Sequence, residues 1–389
     1  MPAPLTFKQR VMTPGPTDVP PEVLLEMAQP IIHHRTKAFQ AIFQELSESL
    51  QRLFRTTGPV LSIAGSGTTA FEAAQISLMP PGGKALTIAG GKFGERWQDI
   101  YDTYGIEQIK LDVPWGEAAD PAKVEQILKD NPDIQIVTLV HSETSTATAS
   151  DAKKIAEIVS KTDALLLLDA ITAVGALPVD QDAWGIDVLV TGSQKAMMLP
   201  PGLGFVGLGQ RAIKRLEETK GLPAYNLDLR RWLKSYKSND VPFTPPVSLI
   251  RGQRVALQIV EKVGLENVWL RTAALAKATR AAFEAMGLTL VSKSPSDSVS
   301  GAYYPEGIED GAFRKAMRET HGIHMAGGQD GRGAKWKGKI FRLNHMGYVD
   351  AGDTLAALQA IEAEFVAAGA VKTPAGTALA AAGKVMAEA

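Results

Sequence analysis

Phe39, Ile42, Phe43, Leu46, Leu50, Leu53 and Phe54 recur at helical spacing among polar neighbours, which predicts an amphipathic helix over Lys37–Arg55. Beyond it the period changes. Short β-rich apolar runs stand at Val60–Ala64, Ala85–Ala89, Ile106–Leu111, Ile134–Val140, Ala164–Leu168, Val188–Thr191 and Gly204–Leu208. Candidate helices lie between most of them, at Thr68–Met79, Glu95–Tyr104, Pro121–Asp130 and Ala152–Lys161. Such alternation predicts an α/β fold whose mainly parallel, seven-stranded sheet is covered on both faces.

From Lys220 to Pro246 the pattern dissolves into loop-like sequence. Two helical stretches follow, Ser248–Val263 and Asn267–Met286, separated by Gly264. Short runs near Leu288–Val291 and Lys339–Asn344 and a helix at Asp353–Ala367 suggest a smaller α+β domain. The expected division is an N-terminal arm over 1–18, a large domain over 19–263, a small C-terminal domain over 264–370 and a tail over 371–389, helical in part.

Composition narrows the partners. With 389 residues, 45% hydrophobic and 21% charged, the chain has the make-up of a globular protein with a large core. A formal net charge of -1 argues against nucleic acid or an anionic membrane surface as the main partner. No apolar stretch is long enough to span a bilayer, and neither a signal nor an organelle address is legible, so the cytoplasm is the expected location. The absence of cysteine removes disulfides, thiolate metal sites and every cysteine-nucleophile mechanism.

The chemistry concentrates where apolar runs end. Ala164–Leu168 leads into Asp169, and Val188–Val190 leads into Gly192-Ser193-Gln194-Lys195. In an open α/β sheet, side chains at the carboxyl ends of adjacent strands converge on one crevice. An acid and a lysine placed this way suit pyridoxal phosphate, since the lysine holds the cofactor as a Schiff base and the acid keeps the pyridine nitrogen protonated. Gly65-Ser66-Gly67-Thr68-Thr69 follows a strand and opens a helix, an arrangement that offers free N–H groups to an anion. Gly65–Ala70 also fits the dinucleotide fingerprint G-x-G-x-x-A, yet the second strand ends Ile88-Ala89-Gly90-Gly91-Lys92 without the expected ribose-binding acid, so a single phosphate fits better. Phe93 could stack on a planar ring or pack in the core. His141-Ser142-Glu143-Thr144-Ser145-Thr146 adds hydrogen-bonding groups at the same edge, and His141 lacks a second ligand at metal-binding spacing. Arg342, in a late strand-like run, is a candidate carboxylate clamp.

With Thr13-Pro14-Gly15-Pro16-Thr17 and His345-Met346-Gly347 added, the chain resembles the class V aminotransferases of fold type I, in particular the alanine–glyoxylate and serine–glyoxylate (serine–pyruvate) group. The resemblance implies that Lys195 carries pyridoxal 5'-phosphate and that Asp169 bonds the pyridine nitrogen. It further implies that Ser66, Gly67, Thr68 and Gln194 hold the phosphate, that Phe93 stacks on the ring and that Thr144 approaches the ring. Arg342, with backbone near Gly15, would grip the substrate carboxylate. Thr244 matches a position that reaches the phosphate from the partner subunit of a homodimer. Some relatives carry a phosphate-touching Tyr where this chain has Val241. His34-Arg35 matches a segment near the dimer interface. No metal is implied.

The expected reaction is ping-pong transfer of an amino group from alanine or serine to glyoxylate or pyruvate, with small molecules as the only partners besides a second copy of the chain. Transamination of an aminophosphonate or pyridoxamine with pyruvate, and a lyase of the same fold, are rivals. A nicotinamide-dependent dehydrogenase using the Gly65 loop is the rival from another class.

Overall fold

The computed structural model describes residues 8–388. Residues 1–7 of the expected arm, and Ala389, lie outside the described residues. Seven strands form the central sheet: β1 (Val60–Gly65), β2 (Lys84–Ala89), β3 (Glu107–Asp112), β4 (Ile134–Val140), β5 (Leu165–Asp169), β6 (Val188–Gly192) and β7 (Gly202–Leu208). Their spatial order is β1-β7-β6-β5-β4-β2-β3, and only β7 runs antiparallel to its neighbours. Every residue of β5 and β6 is buried, as expected of strands covered on both faces. The chain direction across the sheet reverses between β2 and β4, which opens a crevice at their carboxyl ends.

Three helices frame that crevice and the sheet behind it. α1 (Lys37–Phe54) buries Phe39, Phe43, Leu46, Leu50, Leu53 and Phe54, the stripe predicted from spacing. Each of these contributes about 1.5–3 kcal/mol relative to exposure. Thr36 caps it by accepting the Phe39 N–H, and Arg55 closes it in the left-handed region at φ 52°. α2 (Gly67–Leu78) comes directly after β1, and α3 (Lys92–Thr103) after β2. α3 therefore begins before Glu95, and Phe93 sits in its first turn rather than in a loop.

α4 (Val247–Val263) and α5 (Leu265–Ala285) meet at Gly264, whose φ of +87° sets the corner between them. Past α5, β8 (Val299–Tyr303), β9 (Ala326–Gly327) and β10 (Ile340–Asn344) make an antiparallel sheet in the order β8-β10-β9. Helix α6 (Asp310–His321) and helix α7 (Ala351–Ala367) pack with it around Phe283, Phe313, Phe341 and Phe365, a second hydrophobic core separate from that of the central sheet. The final helix, α8 (Thr377–Glu388), adds Ala378 and Ala382 to that core.

Several expectations need correction. Leu288–Val291 is no strand; only Leu290 bridges to Ala302. Lys220–Pro246 is not all loop, since Leu229–Tyr236 is helical and buries Leu229, Trp232 and Leu233. β8 and α6 had no legible signature: Val299-Ser300-Gly301-Ala302-Tyr303 contains glycine and serine, and α6 buries only Phe313 and Met317.

The N-terminal segment is tied to the small domain. Arg10–Val11 pairs in parallel with Ile323–His324, the Met12 N–H donates to the His324 carbonyl at 2.8 Å, and the Met12 carbonyl accepts from Asn344 at 2.9 Å. The chain then crosses to the large domain, where the Thr17 N–H donates to the Gln194 carbonyl and Thr17 Oγ1 to the Lys195 carbonyl.

Candidate active site

A row across the sheet starts the site. Asp169 pairs in register with Val140 of β4 on one side and Val190 of β6 on the other, so it ends its strand level with both neighbours. Gly192 closes β6 and the chain turns through Ser193 and Gln194 to Lys195. Ser193 Oγ braces that turn by donating to the Pro200 carbonyl and accepting the Leu203 N–H. Asp169 and Lys195 line one cleft, together with Ser66, Gly67, Thr68, Phe93, Thr144 and Gln194. Arg96, Ser142, Ile171 and Thr172 complete much of its wall.

The start of α2 is pressed onto the sheet. Ser66 caps the helix in a reciprocal box with Thr69, so the N–H groups of Gly67 and Thr68 keep no intrahelical acceptor. A side chain on Gly67 would lie 2.5 Å from Ile171 Cδ1, and one on Gly204 of β7 would lie 2.5 Å from the Ser66 carbonyl. Both glycines thus permit the close approach that aims this positive helix end into the cleft.

Lys195 is nearly buried. Its Nζ donates to the Pro14 carbonyl at 2.5 Å, and a side chain on Gly15, which has φ +115°, would collide with it. Burial pushes the ammonium pKa down to about 8, helped by Arg342 and Arg96 and opposed by Asp169. Asp169 is pushed the other way, up to about 7, first by burial and further by the neighbouring Glu143, against the Ile171 N–H that it accepts at 2.9 Å. An acid and an amine with pKa values displaced toward neutrality in one cleft are a sign of proton chemistry.

Glu143 is the residue that the sequence pattern left without a role. It is buried, and one oxygen accepts the N–H groups of both Phe93 and Gly94 at 3.0 Å, while the other accepts from Ser145. Gly91, at the N-cap of α3, has no side chain to do this. A carboxylate from the β4 edge therefore caps α3 and fixes the ring of Phe93. We expect Glu143→Gln to fold, because the amide oxygen can still accept, and Glu143→Ala to lose about 2–4 kcal/mol in urea denaturation. Equal stability of the two variants would remove the capping role.

Arg342, on β10, reaches back to the large domain. Nη1 donates to the Thr144 carbonyl at 2.6 Å, and Nε and Nη2 donate to the Gly327 carbonyl. Three of its five N–H groups are thereby committed, which locks the plane of the guanidinium and leaves two for a ligand. It lies beside the cleft rather than in its wall. His141 turns away: it is buried edge-on against Trp184, and burial pushes its pKa down to about 4. Thr244 is exposed and does not reach this cleft in its own chain.

The residues present suit pyridoxal phosphate. The first N–H groups of α2 are free to donate, Gln194 lines the same wall, Phe93 offers a planar face, and Asp169 and Lys195 flank the same space. The family model for class-V aminotransferases matches residues 13–334. This chain belongs to that family. It is 41% identical over 358 residues to an uncharacterized aminotransferase of Methanocaldococcus jannaschii, covering 91% of this chain and 92% of that one. It is 32% identical over 393 residues to a serine–glyoxylate aminotransferase of Methylorubrum extorquens, covering 98% and 96%. Among solved structures, pyridoxamine–pyruvate aminotransferase from Mesorhizobium loti superposes with a TM-score of 0.92 at 30% identity over 100% of both chains. The class-V aminotransferase is thus a pyridoxal phosphate enzyme of fold type I, and the dehydrogenase reading of the Gly65 loop falls.

Proposed function

We propose that this aminotransferase moves an amino group from alanine or serine to glyoxylate or pyruvate by a ping-pong mechanism. The observation that carries the reading is one buried amine, Lys195, in the cleft wall with one oriented guanidinium, Arg342, beside it. When bound, pyridoxal phosphate supplies an aldehyde that links to amines and a ring that draws electrons away from the substrate Cα. Lys195 Nζ, with its pKa lowered to about 8, is the base that would take the Cα proton and the acid that would deliver it to the cofactor's former aldehyde carbon, across the linking nitrogen. Asp169, in the same cleft wall, would hold a proton on the ring nitrogen and keep positive charge there. Arg342 sets the carboxylate, and hence the Cα–H bond, in reach of Lys195. One lysine serving both half-reactions requires the first product to leave before the second substrate enters.

Small substrates are supported by the roof that Pro14 and Gly15 make over Lys195, and by the serine–glyoxylate relative. The full-length likeness to the pyridoxamine–pyruvate enzyme favours a second reading, pyridoxamine as amino donor. A half-reaction screen followed in the visible spectrum separates them. Conversion by alanine or serine, reversed by glyoxylate or pyruvate, is the expected result. Conversion by pyridoxamine alone would replace the proposal.

Arg342→Ala should raise the KM for both amino acid and oxo acid roughly a hundredfold, with the absorbance of the lysine-bound cofactor intact. An unchanged KM would remove the clamp. We also propose a homodimer in which Thr244 of each chain serves the other's site. Its surface exposure and the exposed Leu24, Leu25 and Ile31 support this, and light scattering on the purified chain tests it.

A further inference from the structure

Arg96 lies one turn beyond Phe93 on α3 and lines the cleft, yet no motif in the sequence points to it, and its minor share in lowering the Lys195 pKa does not account for its place there. Its Nη1 donates to Thr68 Oγ1 at 3.2 Å, and its Cζ lies 4.8 Å from the centre of the Phe93 ring. Among the described residues no carboxylate approaches it within salt-bridge distance, and it makes no other side-chain hydrogen bond. A half-buried guanidinium without a counter-ion is unusual, because such groups are normally paired. The surroundings are also positive. Lys195 shares the cleft, the first turn of α2 points its free N–H groups inward, and Asp169 is the one carboxylate in the wall among the described residues.

We propose that Arg96 is a ligand of the cofactor's phosphate, the charged partner of the neutral cradle formed by Ser66, Gly67 and Thr68. Its contact with Thr68 Oγ1 puts it beside the second residue of α2, whose N–H belongs to that cradle. The side chain bridges two elements, α2 and α3, so it ties the phosphate end of the site to the aromatic that faces the ring.

The alternative is that Arg96 only props the Phe93 ring. The two readings differ in which part of the cofactor feels the loss. Full-length chain stripped of cofactor can be titrated with pyridoxal phosphate and, separately, with pyridoxal, followed by absorbance. Arg96→Gln should weaken pyridoxal phosphate roughly 10- to 100-fold while moving pyridoxal by no more than about twofold. Arg96→Lys, which keeps the charge on a different geometry, should fall between. Competition by inorganic phosphate against pyridoxal phosphate should likewise weaken in both variants. Equal weakening toward both ligands would make Arg96 a support for Phe93 and overturn the proposal, as would unchanged binding of pyridoxal phosphate. Should Arg96→Gln unfold, the Arg96→Lys titration alone decides by the same ratio.

Discussion

Lys195→Ala protein is expected to be colourless after dialysis and to turn over at least about 10⁴-fold more slowly than the parent chain. The argument rests on the absence of a substitute. The Lys195 amine is packed beneath Gly15 and bonded to the Pro14 carbonyl, so the space it vacates is closed to other side chains. Arg96 and Arg342, the other cations near it, stay protonated at the pH of the reaction and cannot accept a proton from carbon. Added ethylamine, small enough to enter the vacated volume, should restore part of the rate. Turnover that survives the substitution would transfer the base to another group and undo the proton assignment.

Asp169→Asn should separate activity from stability. Activity should fall by roughly 10²–10⁴-fold, because an amide cannot hold positive charge on the pyridine nitrogen. Stability of the cofactor-free chain should move the other way, and only at one end of the pH scale. In the folded chain the Asp169 pKa is raised to about 7, above an unfolded value of ~3.9. The folded state therefore binds the proton more tightly, and the stability it confers is complete below about pH 4 and lost as the pH rises through about 7. At pH 8 the parent chain carries the full cost of a buried carboxylate, and Asn, which still accepts the Ile171 N–H, does not. The variant should melt higher at pH 8, by a difference on the order of a few kcal/mol, and equal the parent at pH 4. A constant offset at both values would mean that the carboxyl's charge is not what the fold resists.

How legible the fold and site were depended on the range of the interactions. The sheet could be read because β4, β5 and β6 are almost wholly buried and so appear as short, mostly apolar runs. Asp169 and Lys195 could be read because each closely trails such a run, and strand direction alone brings them to one edge. Arg96 could not. On an amphipathic helix one arginine looks like solvent-facing charge, and only the folded chain shows that this turn of α3 borders the cleft. Glu143 was hidden differently. Its capping partners belong to another segment, and the glycine at the N-cap of α3 gives no sign that a distant carboxylate takes the place of Ser or Asp. β8 was missed because its stability comes from pairing with β10 rather than from its own sequence.

The N-terminal segment joins two parts of the site that the chain order keeps far apart. Arg10 to Met12 are stitched to the small domain, which also carries Arg342, while Pro14 and Gly15 cover Lys195. The ceiling over the amine and the grip on the carboxylate therefore hang from one short stretch of chain. Loosening the Arg10–Met12 pairing should accordingly disturb both ends of a bound amino acid at once.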